Sequence, residues 1–156
     1  MKNKWGQYWS FQLIGWGSFA AINTFFAFSY DKLNDKFFFR LGIFLFLGIL
    51  ISHVMREILT RLGTLQKTLN KQVLQFFVLT FVLAVLASYM NVEAVIQVHL
   101  LRGEEQELLF RARPNYWVNK FILVLNSAFS YFILFFIWSL IYFMYHYVTK
   151  SRKQQL

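Results

Sequence analysis

Residues 8–30, 37–59, 72–92 and 121–147 are apolar almost without interruption, and each run is long enough to cross a bilayer as a helix. A helix rises 1.5 Å per residue, so about 20 apolar residues span roughly 30 Å of hydrocarbon. None of the four runs alternates polar and apolar residues as the wall of a barrel does. The lone proline, Pro114, lies outside all of them. The expectation is an all-α fold, an integral membrane four-helix bundle making one transmembrane domain over residues 1–156.

Composition excludes the competing classes. Apolar residues reach 58 % and charged residues only 15 %, against about 45–50 % and 25 % in soluble domains. Twenty Phe, five Trp and eight Tyr are more aromatic surface than a soluble domain of 156 residues can hide. Disordered chains are poor in these residue types. The absence of cysteine removes disulfides and thiolate chemistry. Met1-Lys2-Asn3-Lys4 before an apolar run resembles a signal peptide, but the run continues through Gly15-Trp16-Gly17-Ser18-Phe19 without a small-x-small cleavage site. It reads as a retained first helix.

Orientation follows from lysine and arginine. The N-terminus, the 60–71 linker with the end of the second run, and the C-terminus together carry nine basic residues and one acid, Glu57. The opposite side carries seven basic and six acidic residues. This predicts an N-in/C-in topology, with 60–71 a cytoplasmic linker and 93–120 an extracytoplasmic segment. The linker has good helix formers and is expected to prolong the helices on either side. Within 93–120, residues 95–101 and 107–111 flank Arg102-Gly103-Glu104-Glu105, which fits a hairpin turned at Gly103 or an amphipathic helix on the membrane surface. The net charge of +9 is explained by this asymmetry, and no nucleic-acid partner is expected.

No catalytic constellation is visible, and no cofactor is expected. The three histidines, His53, His99 and His146, fall on different segments, so no metal site is expected either. Polar residues inside hydrocarbon need partners, and this singles out two faces. Gln12, Trp16, Phe19 and Asn23 recur at helical spacing in the first run, and Asn126 and Ser130 lie one turn apart in the fourth. Both faces are expected to point into the bundle, either bonding between helices or lining a small ligand pocket. His53 and Glu57 share a helix face near Arg56 and make a candidate pH-sensitive pair. The simpler reading is a charge cluster anchored at the headgroups. Gly17/Ala21, Gly48/Ser52 and Ala84/Ser88 are spaced for close helix approach.

Two stretches carry a resemblance. Tyr8-Trp9-Ser10-Phe11-Gln12-Leu13-Ile14-Gly15-Trp16-Gly17 is similar to the first span of bacterial LytS/YehU-type sensor histidine kinases. Phe136-Ile137-Trp138-Ser139-Leu140-Ile141-Tyr142-Phe143, followed by His146-Tyr147 and the basic residues 150–156, resembles their last span and the start of their signalling helix. In that family a coiled-coil linker, a phosphoacceptor segment containing Asn-Pro-His-Phe and an ATP-binding domain follow. No residue of this chain matches those segments, and His146 is not the phosphoacceptor.

The resemblance implies a non-enzymatic sensor and dimerisation module in the bacterial inner (cytoplasmic) membrane. It would be a homodimer surrounded by membrane lipids, with its last helix leading to a cytoplasmic output domain. A response regulator would then be reached through a kinase part that these residues lack. The chain is expected to be the sensor portion of such a kinase or a stand-alone relative. The alternative is a small accessory or transport-associated subunit of a membrane complex.

Overall fold

A computed structural model describes residues 4–105 and 110–155. All regular structure among the described residues is helical: α1 is Lys4–Ser29, α2 is Asp35–Arg61, α3 is Leu69–Leu101 and α4 is Tyr116–Gln154, with a short 3-10 turn at Thr64–Gln66. All four α-helices are long and apolar enough to cross a membrane.

The ends of the helices are written in local chemistry. Asp31 takes φ 51°, and the Lys32 N–H reaches back to the Ala27 carbonyl at 2.8 Å, closing α1 with a Schellman motif. The Asn34 side chain then accepts the Phe37 N–H at 2.8 Å and caps α2, whose first turn carries Asp35 at the positive end of the helix dipole. Gly63, at φ 60°, ends the helical path after α2. Gly103, at φ 68°, does the same after α3, with the Glu104 N–H bonded to the His99 carbonyl at 3.2 Å. Both glycines occupy left-handed backbone that a side chain would strain.

Of the two longer connections, the second departs from expectation. Helices enter the 60–71 linker from both sides but do not meet, because Gly63 and the 3-10 turn intervene. Residues 95–101 are neither a hairpin arm nor a separate surface helix. They are the last turns of α3, and Gly103 is the turn that follows. Residues 106–109 of the second flanking stretch lie outside the described residues.

The chain divides into two compact units, Met1–Leu50 and Ile51–Leu156, with α2 contributing to both. In the first, α1 buries one stripe, Tyr8, Gln12, Trp16 and Ala27. A Cβ on Gly48 would overlap the Trp16 ring, so the α2 backbone lies directly against the indole. Phe19 stacks on Phe44 with centroids 5.1 Å apart. Gly17 and Ala21, by contrast, are exposed.

In the second unit α3 and α4 run antiparallel. The register is fixed by Glu93 with Lys120, Ser88 with Val124, Phe81 with Phe132, Thr80 with Ser139 and Phe76 with Phe143. The buried face of α3 includes the small residues Thr80, Ala84, Ala87 and Ser88, while α4 buries the bulky Tyr131 and Phe135. Between helices in lipid there is no hydrophobic drive, so close approach and hydrogen bonds hold such a pair. The Ser88 hydroxyl donates to the Val124 carbonyl across it. Ile51, Met55 and Leu59 of α2 are buried in the same unit, and the Ser139 hydroxyl lies 3.7 Å from the Met55 sulfur.

Candidate functional site

The best-developed polar site lies at the Gly103 end of the α3–α4 pair. Glu93 is the first acidic residue after Glu57 and follows the apolar 72–92 run, while Lys120 immediately precedes the apolar 121–147 run. Because α3 continues to Leu101 and α4 begins at Tyr116, both residues sit on helix rather than loop. The Lys120 ammonium donates to a Glu93 carboxylate oxygen at 2.6 Å, and the Gln97 amide donates to the other at 2.9 Å. The rings of Tyr89, Trp117 and Tyr116 stand 5.3, 5.6 and 5.8 Å from the same ammonium, within cation–π range. The Lys120 side chain is 9 % exposed and that of Glu93 32 %, so the cation is enclosed and its counter-ion half-open.

Six residues after Glu93, nearly two turns along α3, His99 is buried with Nδ1 3.1 Å from a Glu104 carboxylate oxygen. This close contact is not a hydrogen bond. With the backbone bond from Glu104 to His99, it secures the turn around Gly103. The site is therefore a clasp that joins two helices through a charge pair in aromatic surroundings. No group of three or more His, Asp or Glu stands close enough to hold a metal among the described residues.

The second polar arrangement is a ladder on α1. The Trp16 indole N–H donates to Gln12 Oε1 at 2.8 Å, and the Gln12 amide donates to the Tyr8 hydroxyl at 2.9 Å. Gln12 and Trp16 are both buried. Asn23 is half-buried and bonds the Phe19 carbonyl of its own helix at 2.8 Å.

Asn126 and Ser130 require a correction, because both are exposed. The buried face of α4 passes through Ala128, Tyr131, Phe135 and Ser139, and Asn126 and Ser130 stand away from it. The interior hydroxyl is instead Ser139, which bonds the Phe135 carbonyl at 2.7 Å and lies 3.5 Å from the Thr80 hydroxyl.

His53 and Glu57 are both exposed, and Glu57 accepts a hydrogen bond from Arg61 Nε at 2.8 Å. Sequence reasoning missed the clasp because it assigned Glu93 and Lys120 to the two ends of a segment outside the apolar runs, with no pairing between them. The available signal was that an acid and a base flank the two long apolar runs at matching distances. No protein-family model, curated protein or solved structure matches this chain.

Proposed function

We propose that the chain is the membrane-embedded sensor and dimerisation module of a bacterial two-component signalling protein, with both termini cytoplasmic and no catalytic role of its own. The observation that carries this reading is α4. It runs unbroken for 39 residues, about 58 Å at 1.5 Å per residue, against roughly 30 Å of hydrocarbon. One end is fixed to α3 by the Glu93–Lys120 clasp, and the other continues as helix through Lys150, Arg152 and Lys153. A helix held in this way carries a change at the clasp to whatever follows its far end. The charge asymmetry of the connections supports the orientation, and the resemblance of 8–17 and 136–143 to the sensor kinases supports the family, the bacterial inner membrane and the homodimer.

The test is a chimaera in which the kinase part of a LytS/YehU-type protein follows residue 156. One, two, three or four alanines are inserted after Tyr147. A helix that transmits rotation gives output that rises and falls with the 3.6-residue helical period. Output indifferent to all four insertions, with normal expression, would reject the reading.

A further inference from the structure

The far end of the α3–α4 pair gathers positive charge that no acidic residue of α4 or of the chain between Glu57 and Glu93 neutralises. Phe76 and Phe143 meet with centroids 5.7 Å apart and set the level of the two helices. The seven residues back from Phe76 to Leu69 are matched by the seven on from Phe143 to Lys150, since the helices are antiparallel. Lys71, five residues before Phe76, and Lys150, seven after Phe143, therefore stand within about 3 Å of one level along the axis, with Lys67 just before the start of α3 and Lys153 about one turn beyond Lys150.

The α4 stripe that turns toward the unit's interior continues from Ser139 through Phe143, His146 and Thr149, all buried or half-buried. Lys150 and Lys153 extend it. The 3-10 turn is tied to α3 by the Thr64 hydroxyl donating to Gln75 Oε1 at 2.9 Å, which keeps Lys67 at this end. No acidic residue occurs between Glu57 and Glu93 or anywhere from 108 to 156, and Glu57 is already paired with Arg61. Four ammonium groups at one end of a helix pair repel one another unless an anion sits among them.

The surroundings identify the anion. Val73 on α3 and Met144 and Val148 on α4 are exposed apolar residues, so hydrocarbon-facing surface reaches to within about one turn of Lys71 and Lys150. A ligand that matches both parts carries a phosphate and an acyl chain. We propose that this end of the α3–α4 pair is a binding site for the headgroup of an anionic phospholipid, held by Lys67, Lys71, Lys150 and Lys153. The site is independent of the sensor reading and of the orientation of the chain.

The experiment is native mass spectrometry of the full chain released from detergent, with phosphatidylglycerol and phosphatidylcholine of identical acyl chains added in equal amount. The wild type is expected to retain phosphatidylglycerol at collision energies that strip phosphatidylcholine. Each of Lys71→Gln and Lys150→Gln is expected to weaken that retention about fivefold, as a loss of about 1 kcal/mol per basic residue near anionic lipid implies. Arg111→Gln, beyond the other end of the pair, should leave retention unchanged. Equal retention of the two lipids by the wild type overturns the proposal without reference to any variant. So does a phosphatidylglycerol preference that survives both lysine substitutions. Displacement of the lipid by glycerol 3-phosphate at equal concentration would reject the lipid assignment.

Discussion

The Lys120 ammonium lies 2.6 Å from the Glu93 carboxylate, joining the last turns of α3 to the first turns of α4. Removing the acid leaves the enclosed ammonium with only aromatic faces beside it, and a buried charged group deprived of its partner costs about 1–3 kcal/mol or more. Glu93→Gln is expected to lower stability by that amount. The double substitution Glu93→Gln with Lys120→Leu should cost less than the two single changes added together, because no unpaired charge remains. Thermal unfolding in detergent, followed by tryptophan fluorescence, reads both. A Glu93→Gln protein that melts like the wild type would show that the pair contributes nothing.

Gly48 and Gly17 make a matched comparison. The Trp16 indole occupies the space a Cβ would need at Gly48, whereas nothing lies within 4 Å of one at Gly17. Gly48→Ala should destabilise by about 1–3 kcal/mol through overpacking. Gly17→Ala should be neutral or stabilise α1 by up to about 1 kcal/mol, the helix preference of alanine over glycine. Unfolding in sodium dodecyl sulfate measures the two. Equal effects would contradict the close approach of α2 to the indole.

The His53 and Glu57 substitutions should do little. Both side chains are exposed, and exposed pairs one helical turn apart are worth about 0.2–0.5 kcal/mol. His53→Gln and Glu57→Gln are each expected to leave stability within about 0.5 kcal/mol of the wild type and signalling by the kinase chimaera near normal. A large change in output at normal expression would restore the pair as a pH-sensitive element.

Orientation can be read directly, since the chain contains no cysteine. Single cysteines at Asn34 and Gln106 should react with a membrane-impermeant thiol reagent in intact cells, and those at Leu65 and Gln154 only after lysis. Labelling of the second pair in intact cells would invert the proposed topology.

The four helices were legible because uninterrupted apolarity over twenty residues has few other physical outcomes. The same uniformity hid which way each helix faces. A helix apolar all round has no contrast between its inner and outer sides, so the inward faces had to be guessed from isolated polar residues. The guess placed Gln12 and Trp16 on a face that is buried, yet it sent Asn126 and Ser130 inward when α4 turns Tyr131, Phe135 and Ser139 there instead. The clasp escaped notice because its residues lie beyond the apolar runs, where hydropathy ends before the helices do. Ala84 and Ser88 were visible as a small-residue pair, but their burial follows from the bulky side chains of α4, which lie far away in sequence.

The Tyr8–Gln12–Trp16 ladder bears on how the protein is made. The side chains of Ser10, Gln12, Trp16, Asn23 and Ser29 each donate a hydrogen bond to a group within α1 itself. α1 thus carries internal partners for several amide and hydroxyl groups that would be costly if bare in lipid. Those donors are satisfied without a facing helix as α1 enters the bilayer. Ser88 and Lys120, whose partners lie on the facing helix, must wait until both α3 and α4 have been inserted.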